Sequence, residues 1–91
     1  MTRRLLQLAI ADELRAEIAR QHRTITALAT STGMDRKTLT RRLGGSSEFR
    51  SVEVELLAAE LDVDVGTLHE RAHAALEAAM RRHPAGSQVA P

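Results

Sequence analysis

Residues 24–45 read T-I-T-A-L-A-T-S-T-G-M-D-R-K-T-L-T-R-R-L-G-G, and this stretch decides the fold. It describes two short helices joined by a tight turn. Thr24 suits the cap of the first, because its hydroxyl can accept a bond from a free backbone N–H of the first turn. Leu28 and Ala29 then face inward. Gly33 stands where the first helix must stop and reverse, a position that favours positive φ. Asp35 suits the cap of the second helix, and Leu39 and Leu43 lie one turn apart on its buried side. The rest of that helix is Arg36, Lys37, Thr38, Thr40, Arg41 and Arg42, all polar and four of them cationic.

A small residue at the helix crossing, a turn glycine and a second helix with a cationic outer face form a helix-turn-helix pattern. In that motif the second helix reads bases in the DNA major groove. The pattern resembles the lambda-repressor/Cro-like family, also called xenobiotic-response-element-like regulators. Downstream, F-R-S-V-E-V-E-L-L-A-A-E-L-D-V-D-V-G-T-L-H-E-R-A resembles that family's fourth helix, its short connector and the start of its fifth helix. Upstream, L-A-I-A-D-E-L-R-A-E-I-A-R resembles its first helix. The resemblance covers roughly residues 5–76. Two positions depart from it. Ile25 stands where many members carry a DNA-contacting Gln. Arg42 stands where an apolar residue usually packs helix on helix, and its stem can cover apolar surface while the guanidinium reaches out.

The resemblance implies an all-α, five-helix domain with an extended C-terminal helix, and a transcriptional regulator of phage or bacterial type, most often a repressor. Arg36, Lys37 and Arg41 match the family's main base-reading positions, with Thr40 in support. Arg23, Thr24, Arg42, Ser46, Ser47 and Arg50 are the expected phosphate contacts. The partner is double-stranded DNA, bound as a homodimer through helix five or as a monomer. An antitoxin of the same fold, binding toxin as well as DNA, and a helical protein–protein adaptor are the alternatives.

Charge distribution agrees better with DNA binding than net charge does. The chain's formal charge is only +1. Residues 1–19 balance three cations against three acids. Residues 20–50 carry seven cations against two acids, and residues 51–91 carry three against seven. Such a division predicts one basic face and one acidic face.

The rest of the chain supports five helices. Leu6, Ile10, Leu14 and Ile18 recur every four residues over a first helix at about 3–21, with Thr2 as its cap. Gly44 and Gly45 end the third helix, and Phe49, the one aromatic residue, tucks into the core from the loop that follows. Ser51 is the expected cap of helix four, whose inner face is Val54, Leu57, Ala58 and Leu61. Asp64 caps helix five, at about 65–82, with Leu68, Ala72, Ala75, Leu76 and Ala79 inward. His83-Pro84 stops it. The domain is then 1–83, followed by an expected disordered tail at 84–91.

Other function classes find little support. There is no cysteine among the 91 residues, which excludes disulfide and thiolate chemistry and fits a cytoplasmic protein. No apolar run approaches the roughly 18–20 residues of a membrane span. Asp12 and Glu13 interrupt any leader-like stretch. His69-Glu70-Arg71-Ala72-His73 matches H-E-x-x-H, the spacing of zinc peptidases. Its extension fails, because Leu76 and Ala79 stand where the longer signature needs Gly and His. No metal site, cofactor or small-molecule ligand is expected, and no enzyme. On helix five, His69, His73, Leu76 and Met80 read either as a dimer seam or, for Leu76 and Met80, as part of the monomer core. Periodicity does not separate the two.

Overall fold

A computed structural model describes residues 2–82 as five α-helices and, among those residues, no strand. They are α1 (Arg3–Arg20), α2 (Ile25–Thr32), α3 (Arg36–Leu43), α4 (Ser51–Glu60) and α5 (Val65–Arg82). The expected tail at 84–91 lies outside the described residues.

Local chemistry sets each helix start. The Leu5 N–H donates to the Thr2 hydroxyl at 3.2 Å. The Ala27 N–H donates to the Thr24 hydroxyl at 3.1 Å, and the Thr38 N–H to the Asp35 carboxylate at 3.0 Å. The Thr67 N–H donates to the Asp64 carboxylate at 3.1 Å. Each side chain satisfies one orphan donor of its first turn. Helix α4 differs from expectation. Its cap is Arg50, and Ser51 is its first helical residue. The Glu53 carboxylate reaches back to accept the Arg50 N–H at 2.8 Å, half of a capping box, so no hydroxyl is needed there.

Three helix ends share one device. After α1, the N–H of His22 donates to Ala19 O and that of Arg23 to Ile18 O. Gly45 and Ser46 repeat this after α3, and Asp62 and Val63 after α4. These are paired 5→2 and 6→1 closures, each with a left-handed residue at the turn. Gly45 sits at φ 85°, while His22 at 55° and Asp62 at 57° hold the same conformation without being glycine.

The helices close on one core. Leu14, Leu28, Leu39, Leu57, Leu61 and Leu68 are its largest fully buried side chains. Phe49 is buried with them, as its loop position predicted. The long helices α1 and α5 lie along each other, and the α2–α3 pair packs on α4 and α1. Of helix five's expected inner face, Leu68 and Ala72 are buried, Leu76 and Ala79 are half-buried, and Ala75 is exposed. Leu76 packs against the core, whereas Met80 remains 47% exposed. No helix of the described residues is long and apolar enough to cross a membrane.

Two glycines should respond differently to alanine. Gly33 has φ 77° but open space where a Cβ would stand. Gly33→Ala should therefore cost only the left-handed backbone term, about 1 kcal/mol. At Gly45, φ is 85° and a Cβ would stand 2.7 Å from a Leu8 methyl carbon. Gly45→Ala should cost more, since Leu8 must also move. Denaturant unfolding of the two variants measures the difference, and an equal or reversed order would contradict this packing.

Candidate nucleic-acid interface

The outer face of α3 follows from its eight residues, Arg-Lys-Thr-Leu-Thr-Arg-Arg-Leu. Leu39 and Leu43 are buried, and a helix with two apolar residues one turn apart turns its opposite face outward. Arg36, Lys37, Thr40 and Arg41 are exposed and line one shallow open depression. The four expected base-reading residues are thus brought together. Arg41 also places a guanidinium nitrogen 3.4 Å from the Thr38 hydroxyl.

Cations in a first helical turn oppose the helix dipole. Asp35 offsets part of that cost for Lys37, whose N–H and charge both act on its carboxyl. Its carboxyl is held below the ordinary aspartate range, first by the Thr38 backbone N–H and then by the Thr38 hydroxyl and the Lys37 N–H and charge, against a smaller effect of burial.

Ion pairing divides the cations into two groups. Arg3 pairs with Glu48, Arg15 with Asp12, Arg20 and Arg71 with Glu17, Arg23 with Glu60, and Arg42 with Glu53. Arg36, Lys37, Arg41 and Arg50 take part in none of the ion pairs among the described residues, and neither do Arg4, Arg81 and Arg82, which lie on α1 and at the end of α5. The candidate reading face therefore keeps its positive charge while most other arginines are neutralised within the fold.

That division revises two expected phosphate contacts. Arg23 lies 2.9 Å from a Glu60 carboxylate oxygen and donates to the Glu60 carbonyl at 3.3 Å. Arg42 donates to the Glu48 carbonyl at 2.5 Å. Its Nε lies 2.9 Å from Glu53, close enough for ion pairing but off the line of a hydrogen bond. Both side chains are largely covered and tie α4 to the helix-turn-helix, which leaves neither guanidinium free to reach a phosphate. Thr24, Ser46 and Arg50 are exposed and Ser47 is half-buried. The Thr24 hydroxyl accepts its cap bond and keeps its own hydrogen to donate. The Ser46 hydroxyl donates to Arg41 O at 3.0 Å.

Two positioning residues escaped the sequence reading. Arg4 donates to the Gly45 carbonyl at 3.0 Å, and Arg15 donates to the Leu43 carbonyl. They lie eleven positions apart, close to three turns, and so share one face of α1. Both cations sit at the C-terminal end of α3, where the dipole favours them. Their spacing was a usable signal, but Asp12 gave Arg15 a nearer partner, and nothing close to Arg4 in sequence marks Gly45 as its acceptor.

His69 places Nδ1 3.0 Å from the Val65 carbonyl. No group of three or more metal-capable side chains occurs among the described residues. Comparison with protein-family models, with curated proteins and with solved structures finds no match.

Two outcomes follow from this geometry. Because the folded Asp35 carboxyl titrates below its unfolded value, its contribution is complete above the unfolded value, near pH 4. It is lost as pH falls through the lower folded value. The Thr38 amide resonance should shift across that acid window, and Asp35→Asn, which still caps, should remove the transition. Arg42→Ala should destabilise the fold by about 1–3 kcal/mol, because Glu53 is left largely covered without its cation. Arg50→Ala should leave the melting temperature nearly unchanged. Equal effects at the two positions would contradict the assignment of Arg42 to the fold.

Proposed function

We propose that this chain is a sequence-specific DNA-binding regulator of the lambda-repressor-like helix-turn-helix class, acting as a phage or bacterial repressor. The observation that carries the reading is the cationic outer face of α3, whose charges form no ion pair among the described residues, while six other arginines do. α3 enters the major groove. Arg36, Lys37 and Arg41 face base edges, an Arg there taking guanine through O6 and N7. Thr40 supports them. Thr24, Ser46, Ser47 and Arg50 hold phosphates, together with the N-terminus of α2. A second copy packed along α5 through Leu76 and Met80 is the dimeric form of this reading. Bound over a promoter, the protein represses by excluding polymerase.

One observation favours a protein partner in addition. Val52 and Leu56, one turn apart on α4, are 57% and 43% exposed, beside Glu55 in the acidic half of the chain. An antitoxin of this fold would use such a face for its toxin while α3 holds DNA. A helical adaptor would use it without DNA.

Selection of duplexes from a random library, followed by affinity measurement over a salt series, tests the reading. A DNA reader loses affinity steeply as salt rises, whereas an adaptor shows no duplex binding to lose. On the selected site, Arg36→Ala or Arg41→Ala should cost roughly 1–3 kcal/mol and relax preference at one base position per half-site. Stability should hardly change, since both side chains are exposed. A folded variant with unchanged preference at every base would remove α3 from the reading role.

A further inference from the structure

Among the described residues, Leu5, Val52, Leu56 and Met80 are the large apolar side chains left exposed. Two of them, Val52 and Leu56, stand one turn apart on α4. Glu55 and Ala59 are exposed as well. The spacing 52, 55, 56, 59 puts all four on one face of the helix. The other side of α4, with Val54, Leu57 and Ala58, is buried. The helix is therefore seated on the core and turns a second apolar stripe to solvent. Single apolar residues on a surface are ordinary, whereas a contiguous set marks a contact surface.

The stripe is acidic. From Ser51 to Asp64 the chain holds five acids and no Lys, Arg or His. Glu53 and Glu60 are taken by Arg42 and Arg23, and the Asp64 carboxylate caps α5. Glu55 and Asp62 are exposed and form no ion pair among the described residues. Asp62 stands at the C-terminal end of the stripe, its N–H donating to the Ala59 carbonyl at 3.2 Å. The unpaired cation nearest in sequence, Arg50, precedes the helix and lies about 200° around its axis from Val52. It leaves the stripe's charge uncompensated.

These charges choose among occupants. The acids repel a polyanion, which sets aside nucleic acid and anionic lipid. A second copy related by a two-fold axis through this face would bring the two Glu55 carboxylates together. The outer face of α3 in a second copy offers cations but no apolar side chain. A helix with apolar residues one turn apart and lysine or arginine beside them meets both features, its ridge lying along the α4 stripe. We propose that the outer face of α4 docks a basic amphipathic helix of another protein. The inference rests on the protein-partner reading above and is independent of the role of α3. Two apolar side chains and an alanine make a small contact, so the complex is weak and exchanges quickly.

The test is a ¹H–¹⁵N NMR titration of the full chain with a synthetic helix of alanine, leucine and lysine. The peptide has about 18 residues, long enough to hold a helix in water. Its leucines form one stripe and its lysines flank them. In one control glutamate replaces every lysine, and in the other serine replaces every leucine. The expected result is saturable shifts centred on Val52, Glu55, Leu56 and Ala59 for the lysine peptide and none for either control. Glu55→Lys should weaken binding about fivefold or more, because reversal turns an exposed attraction into a repulsion. Val52→Ser should weaken it too, and the melting temperature checks that both variants stay folded. No saturation, shifts centred elsewhere, equal binding of the glutamate peptide, or no effect of either variant would each overturn the proposal. So would concentration-dependent shifts of the same residues in the chain alone, which would make the occupant a second copy. Duplex affinity is measured on the same sample. Duplex binding without peptide binding removes this proposal alone, and peptide binding without duplex binding supports it while removing the role of α3.

Discussion

Leu39 and Leu43 are the only apolar side chains of α3, and their burial is the constraint on which the candidate interface depends. An eight-residue helix is too short to persist alone, because nucleation is costly and each added residue returns little. Packing must hold it. With two leucines inserted into a core that also contains Leu14, Leu28 and Leu57, the rotation of α3 is set. All its cations but one are then forced onto the solvent side. The exception is Arg42, whose stem runs toward α4 and whose head meets Glu53 and the Glu48 carbonyl. An apolar residue there would supply contact area alone. Arginine supplies contact and a directional tie to the loop before α4.

The same arrangement explains why net charge is a poor guide to this chain. A total of +1 averages over arginines with different tasks. Some meet carboxylates across helix boundaries, as Arg23 meets Glu60 and Arg71 meets Glu17, and others pair within α1, as Arg15 with Asp12 and Arg20 with Glu17. Glu17 shows the result locally. Its carboxyl is held below the ordinary range by hydrogen bonds from Arg20 first and Gln21 second, against a smaller opposing effect of burial, with Arg71 adding less. Acids therefore neutralise the cations that hold helices together, and few remain near the outer face of α3.

Much of the architecture was legible because it is local. Caps at Thr2, Thr24, Asp35 and Asp64, the left-handed Gly33 and the leucine stripes each follow from a few neighbouring residues. Less was legible where two distant segments meet. Nothing near Arg23 or Arg42 in sequence marks Glu60 or Glu53 as the partner, since spatial neighbours of an exposed-looking arginine depend on packing. The start of α4 was misread for a related reason. Ser51 is a good capping residue, but Glu53 competes for the same turn from the other side. His22 and Asp62 hid their left-handed turns because neither is glycine. The exposed set Arg36, Lys37, Thr40 and Arg41 was legible as a face, because it rests on a helical period and two leucines rather than on a distant contact.

The two ends of α3 present opposite partial charges to any polyanion. The N-terminal end of a helix attracts anions and the C-terminal end repels them. At the N-terminal end the only acid is Asp35, whose carboxylate is turned onto the Thr38 N–H and hydroxyl. At the C-terminal end the carbonyls of Leu43 and Gly45 face guanidinium groups of Arg15 and Arg4. Bare carbonyls there would carry partial negative charge toward any polyanion lying along the helix. Covering them from α1 removes that repulsion without adding a cation to α3 itself. It also ties the orientation of α3 to the longest helix-helix contact in the fold, since α1 is held in turn by α5. In the proposed reading, the arginines of α1 thus serve DNA binding without touching DNA, by fixing the angle of α3 and neutralising its unfavourable pole.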